Sequence, residues 1–388
     1  MARLFLPILL FLYAFPGIAS DSTEVWLFVQ DQKQQLRQAI AQYEGLKDST
    51  WYTFPGKLLL RPGDTSRYTP YLRANLLLTG DLASADTTES TTYYTRQLAT
   101  AVVRFQARHA LKADSIVGPR TVAALNIPPL QRLHQLQNSL YRWEAFSRDL
   151  PQPYLIVNIP DYTLRLIDRN SVLLNMRTIV GKPNVPTIVN HTRLHTIVFN
   201  PYWYIPNSIA SKEILPILKR NPGYLAKRDM ELFRPKPLGG WQKISPWSVD
   251  WRTVTAANFN YRIVQVTGPH NELGHIKFLF DTRVSQYLHD TKDRQLFALE
   301  RRALSHGCIR LQNPEDLALY LLQERSGLSD KRIEKVLASD KDEQFIRLKK
   351  PVPLIIVYLT AWADEFSVIQ FREDIYGYDK VEEARLGQ

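Results

Sequence analysis

The stretch ALSHGCIRLQN, residues 303–313, holds the chain's only cysteine, Cys308, directly behind His306 and Gly307. Side chains alternate along an extended backbone, so SHGCIRL places Cys308 and Arg310 on one face and Ile309 and Leu311 on the other. The apolar pair then anchors a strand while the thiol faces a cleft. A thiol attacks a carbonyl as its thiolate, and a reference pKa of about 8.5 leaves little of it ionised at neutral pH. Positive charge from Arg310 and the Arg301-Arg302 pair favours ionisation. His289, 19 positions upstream, is placed to take the proton and return it to a leaving amine. Gly307 lets the backbone approach a substrate, so amides at Gly307 and Cys308 are candidates for an oxyanion site. The residues alone also fit a plainer reading, in which a lone cysteine is a buried spectator.

Two rival chemistries fit less well. Zinc could recruit His289, His306 and Cys308, but one thiolate with dispersed histidines lacks compact ligand spacing, and no metal or other cofactor is expected. Papain-like peptidases place cysteine before histidine, whereas all eight histidines here, from His109 to His306, precede Cys308.

The elements that must position these residues are legible in part. In GHIKFLFDTRVSQYLHDT, Ile276, Phe278 and Phe280 alternate, and a second short strand puts Ser285, Tyr287 and His289 on one face. Upstream, YLIVNIP, TLRLI and VLLNMRTIVG read as strands in hairpins. Residues 201–265 are irregular and aromatic, with Trp241, Trp247 and Trp251 among prolines and glycines. They read as an insertion serving as a lid, because long loops in compact domains are usually functional; a static packed subdomain is the alternative. Helical spacing marks Leu36, Ile40 and Tyr43, then Leu98, Val102 and Phe105, then Leu133, Leu136, Leu140 and Trp143. The polar stretch ASADTTESTTY reads as a loop, and Pro119 opens a further short helix after Gly118.

At the N-terminus, Arg3, an apolar run from Leu4 to Phe15 and the small-residue pattern Gly17-Ile18-Ala19 read as a cleaved signal peptide, residues 1–19. That run is shorter than the roughly 20 residues of a membrane span, so no transmembrane anchor is expected after cleavage. The 388 residues, 45% hydrophobic, can bury a large core and form two or three domains. The net charge of +11 comes without a nucleic-acid signature, so an anionic envelope polymer is the expected partner rather than nucleic acid.

A resemblance sharpens this reading. His289 followed by SHGC is similar to the catalytic signature of the L,D-transpeptidases. Val103, Phe105-Gln106, Leu111, Asp114, Val117-Gly118, Thr121 and Ala124-Leu125 resemble a small peptidoglycan-binding repeat, with Asp114-Ser115 where Asp-Gly is usual. TGDL, IVNIP, VGKP, VFNPYW and PVPLIIVYLTAWADE extend the likeness to the large multidomain YkuD-type enzymes of Gram-negative bacteria over essentially the whole mature chain.

The resemblance implies an α+β architecture. It comprises a helical N-terminal scaffold (20–90), a small helical peptidoglycan-binding module (91–130), a linking helix (131–152) and a β-rich catalytic domain (153–388) with an inserted lid at about 201–265. It implies Cys308 as nucleophile, His289 as base and acid, His306 and Gly307 as oxyanion and site support, Arg310 as site support or substrate contact, and Tyr287 as a substrate contact. The reaction implied is attack on the diaminopimelate–D-Ala bond of a tetrapeptide stem, release of D-Ala, and aminolysis of the thioester by a second stem to give a 3–3 cross-link in the periplasm. A hydrolase of the same fold and a non-enzymatic wall-binding scaffold are the alternatives.

Overall fold

The computed structural model describes residues 28–83, 92–145, 151–169 and 171–380. The expected signal peptide at 1–19 and most of the polar loop at 83–93 lie outside the described residues. Five helices come first: α1 (Phe28–Leu46), α2 (Thr69–Leu78), α3 (Arg96–Arg108), α4 (Pro119–Leu125) and α5 (Pro129–Glu144). The strands that follow begin with β1 (Tyr154–Asn158), β2 (Thr163–Asp168), β3 (Ser171–Gly181), β4 (Asn190–Phe199) and β5 (Trp203–Tyr204). There follow β6 (Met230–Pro235), β7 (Trp241–Ile244), β8 (Arg262–Gln265), β9 (Ile276–Phe280) and β10 (Leu288–His289). The last are β11 (Ala303–Ser305), β12 (Ile309–Leu311), β13 (Gln344–Val357), β14 (Ala361–Ala363) and β15 (Ile369–Phe371).

The main sheet runs β11-β3-β12-β10-β9-β4-β13-β1-β2, and β2 also pairs with β3, so the sheet closes on itself. The 11-residue β3 makes the closure possible: its first part pairs with β2 through Arg177, and Thr178 and Ile179 pair with β12. Closure leaves those strands no free edge and fixes their register from both sides. The unbroken burial of β1 follows from two cores. Leu155 and Val157 face the interior with Phe278, Leu288, Ile309 and Leu354. Tyr154 and Ile156 face outward beneath α1 and α5, against Leu36, Leu136 and Trp143.

Residues 54–125 form a third cluster, in which Phe54, Leu60, Leu72 and Leu76 pack with Tyr94, Leu98, Val102, Phe105 and Leu125. The division expected between 90 and 91 thus passes between residues of one core. Helix α2 escaped the sequence reading because its polar Arg73 and Asn75 are buried beside Leu72 and Leu76, which blurs the apolar stripe. Asp81, in TGDL, clamps α3 through a bidentate pair with the Arg108 guanidinium at 2.7 and 2.6 Å. The Asp114-Ser115 turn forms without glycine. Ser115 takes a left-handed φ of 63°, and the Gln106 side-chain oxygen accepts both the Asp114 and Ser115 amides.

The segment expected to be irregular is a folded subdomain. Strands β5-β8-β6-β7 form a separate four-stranded sheet, and a helical run passes through Asn207–Ile209, the π-helical Ala210–Ile214 and Leu215–Leu218. Its own core includes Ile214, Leu218, Leu225, Leu232, Trp251 and Ile263. Prolines at 206, 216, 222, 235, 237 and 246 cut these elements short, which is why their periodicity is hard to read.

Candidate active site

Three neighbouring strands set the site by register. Leu288 pairs with Phe278 on β9 and Ile309 on β12, and all three side chains are fully buried in the interior. The next position pairs His289 with Lys277 on one side and Arg310 on the other. Cross-strand partners share a face, so the imidazole is bracketed by two cations. Burial first, then Arg310, then Lys277, push the His289 pKa down to about 3, so the ring is neutral at neutral pH.

The orientation of His289 follows from its neighbour. Its Nδ1 lies 2.5 Å from the Asp290 carbonyl oxygen, which only accepts, so Nδ1 carries the proton and Nε2 presents the lone pair. The Asp290 carboxylate is turned away, accepting the His275 and Thr291 amides at 2.9 and 2.6 Å. Gly274 permits that placement: at φ +60° it has no side chain, and a Cβ there would meet the Asp290 Oδ2 at 2.1 Å.

Cys308 is half-buried at the head of β12. Burial raises its thiol above the usual range, opposed by hydrogen bonds from Tyr287 and by the charges of Lys277 and Arg310. The sulfur donates to the Ser285 carbonyl oxygen at 3.8 Å, and Tyr287 and Trp203 line the same cavity beside it. The Lys277 ammonium lies 3.9 Å from the centre of the Tyr287 ring. The cations around the thiol are therefore Lys277 and Arg310. The Arg301-Arg302 pair, read from sequence as a source of charge, is committed elsewhere. Arg302 donates to the carbonyls of Thr178, Leu299 and Tyr162, and Arg301 pairs with Glu373.

The turn before Cys308 is buttressed. Gly307 has φ +104°, and its amide donates to Ser305 Oγ at 3.2 Å rather than into the cleft. Ser305 Oγ in turn donates to the Cys308 carbonyl at 2.5 Å. The Gly307 carbonyl accepts from Thr187 Oγ1 at 2.9 Å, and that same oxygen accepts the Gly181 amide at 2.9 Å. Gly181 is sterically obligatory, since a Cβ would meet the Val185 carbonyl oxygen at 2.3 Å. VGKP, conspicuous in the sequence, is thus the brace of the cysteine turn.

Tyr287, His289, Ser305, His306, Cys308 and Arg310 converge on one cavity of 270 Å³. Its opposite wall comes from the insertion: Trp203, Pro206, Ile209, Glu213, Ile214, Ile217, Tyr224 and Met230. His306 is the point of contact between the walls, its Nε2 lying 2.7 Å from Glu213 Oε1. Sequence reasoning missed Lys277, Trp203, Thr187 and Glu213. Lys277 had a signal, as the polar residue on the face opposite Ile276, Phe278 and Phe280. Glu213 had none, because 93 residues separate it from its partner. Among the described residues there is no cluster of three or more metal-ligating side chains and no helix long and apolar enough to cross a membrane.

Two regions of the chain match family models. Residues 152–333 match the family model described as "L,D-transpeptidase catalytic domain", and residues 72–125 match the "Putative peptidoglycan binding domain". A protein of Haemophilus influenzae named "Putative L,D-transpeptidase" is 33% identical over 226 residues, 58% of this chain and 44% of its own length. The chain therefore spans less than half of that relative. Among solved structures, an L,D-transpeptidase from Stackebrandtia nassauensis is 12% identical, covering 80% of this chain and 97% of its own, with a TM-score of 0.28. One from Mycobacterium smegmatis is 13% identical, covering 53% and 58%, with a TM-score of 0.26.

Proposed function

We propose that this chain, whose residues 152–333 match the YkuD model of L,D-transpeptidase catalytic domains, is an exported member of that family forming 3–3 cross-links between peptidoglycan stem peptides. The observation that carries the reading is the convergence of the sole cysteine, a neutral histidine and Tyr287 on one walled cavity. On this reading Cys308 attacks the carbonyl between diaminopimelate and the terminal D-Ala of a tetrapeptide. His289 Nε2 takes the thiol proton as the C–S bond forms, so neither a preformed thiolate nor an imidazolium is needed at rest. The Tyr287 hydroxyl, in the same cavity, is the donor for the developing oxyanion. The imidazolium, unfavourable between Lys277 and Arg310, gives its proton to the D-Ala nitrogen as the C–N bond breaks. An amine of a second stem then loses a proton to His289, attacks the thioester and releases the Cys308 sulfur, which recovers that proton as a thiol.

Arg310 serves site geometry and substrate charge, His306 and Gly307 shape the cysteine turn, and the 72–125 module holds the polymer. The insertion acts as the cap that keeps water from the thioester, favouring an amine acceptor. A signal peptide at 1–19 delivers the enzyme to the periplasm. Incubating the purified chain with disaccharide-tetrapeptide and identifying products by mass spectrometry tests the proposal. Cross-linked dimer and free D-Ala are expected; a hydrolysed tripeptide alone marks a hydrolase, and unchanged substrate marks a scaffold.

A further inference from the structure

Two concavities larger than the one at the cysteine lie elsewhere. A cavity of 690 Å³ lies between the 72–125 module and the barrel, and one of 430 Å³ lies between that module, α5 and the segment 371–380; they share His109, Leu111, Arg120, Arg372 and Glu373 as lining residues. Together they form one cleft, of a size that receives ligands. The larger lobe has module residues His109, Lys112 and Arg120 on one side, and Tyr162, Arg177 and Arg301 of the barrel on the other.

Its charges divide into two sets. Arg372 and Asp161 pair at 2.8 Å on the floor, and Arg302 is consumed by backbone carbonyls. The mouth carries long exposed cations: Lys112 at 79%, Arg120 at 60% and Arg301 at 59% side-chain exposure, with Arg177 beside them. Asp114, Glu300 and Glu373 oppose them, with Lys112 pairing with Asp114, Arg120 bridging to Glu300 across the domain junction and Arg301 pairing with Glu373, while Arg177 donates to the Phe297 carbonyl. Tyr162 in the wall is held at φ +55°, uncommon for a residue with a side chain, and its buried hydroxyl has no hydrogen-bond partner.

Two strands connect this cleft to the active site. Strand β12 and its flanks run from Cys308 at one end to Gln312 in the cleft, four residues or roughly 13 Å of extended chain. Strand β3 runs alongside, from Gly181 at the cysteine turn to Arg177 and Met176 in the cleft.

We propose that this cleft is a second substrate site, which takes a carboxylate-bearing stem peptide of the peptidoglycan strand whose neighbouring stem enters the Cys308 cavity. The inference rests on the peptidoglycan reading of the active site and goes beyond it in making the junction between module and barrel a binding surface. A partly neutral, partly anionic ligand suits a mouth with a modest excess of cations, and the short strand path lets one polymer occupy both sites.

The test uses the full chain carrying Lys112→Glu with Arg301→Glu, and a charge-matched control carrying Lys331→Glu with Lys335→Glu on the exposed face of the helix Asp330–Leu337. Retention on insoluble peptidoglycan is measured at physiological salt, with the thermal transition and the rate of Cys308 acylation by a carbapenem as checks on the fold and the catalytic centre. The cleft variant is expected to lose about tenfold in retention while the control, the transition and the acylation rate stay near wild type. Equal losses in the two variants, or a wild-type chain that is not retained, would overturn the proposal. A wild-type chain that is retained through the cleft but forms no product from tetrapeptide would instead remove the transpeptidase reading and leave the cleft standing as an anionic-polymer site.

Discussion

The two walls of the active cavity are built differently. On the barrel side, Lys277, His289 and Arg310 stand on three strands whose register is locked by the fully buried Phe278, Leu288 and Ile309 behind them. On the other side, the insertion has its own sheet and core, and meets the cysteine turn through Glu213 and His306, both partly exposed. The contrast separates duties. Groups that must hold a proton and a sulfur in place sit on strands that cannot slide, and the groups that cover them sit on a unit able to keep its internal packing if it shifts. Changes to the barrel wall should therefore reduce the chemical rate, and changes to the insertion wall should alter which acceptor resolves the intermediate.

The largest effect is expected at the sulfur. Cys308→Ala should abolish turnover with an unchanged thermal transition, and residual cross-linking by that variant would break the assignment. His289→Ala should reduce kcat/KM on the order of 100-fold or more, the scale of a lost general acid-base group; a comparable loss at His275 or His270 instead would place the base elsewhere. Next comes the insertion as a whole. Trp203 and Tyr204 on β5 pair with Gln265 and Val264 on β8, so the strands can be joined by a two-residue Asn-Gly turn in place of 206–262. The barrel core lies outside the deleted segment. A cooperative transition should persist while hydrolysed tripeptide rises relative to dimer, and an unchanged product ratio at an unchanged rate would remove the cap from the mechanism.

Smaller effects test the charges. Because burial and then Arg310 and Lys277 depress His289, the acid limb of kcat/KM should lie well below the pKa of free imidazole. Arg310→Gln removes one of the depressing charges, so the limb should move to higher pH; a shift to lower pH or none would deny the bracketing. The same sign governs stability. Between the unfolded pKa near 6.5 and the folded value, the unfolded chain binds the proton that the folded ring refuses, so this group costs stability as pH falls through that window. Smallest of all, Glu213→Gln should raise the hydrolysis ratio only roughly twofold, as suits one exposed contact, and should leave stability unchanged.

The same contrast explains what was legible in the sequence. Cys308, Arg310, Tyr287 and His289 could be placed on common faces because short strands alternate, and α1, α3 and α5 announced themselves by apolar spacing. Lys277 was readable from the same alternation, but only the strand order makes it a neighbour of His289. Ring closure through β3 depends on one long strand changing partners, which no local pattern reveals. The insertion hid its four strands behind prolines, and Glu213 points at His306 only once the two walls face each other.

The most direct measurement is the position of the covalent intermediate. The wild-type chain is mixed with disaccharide-tetrapeptide, quenched in acid within a single turnover, digested and mapped by mass spectrometry. A disaccharide-tripeptide thioester on the peptide containing Cys308 is expected, formed with one equivalent of D-Ala, slowly in His289→Ala and never in Cys308→Ala. D-Ala release by the Cys308→Ala chain, or an adduct mapped to any other residue, would contradict it.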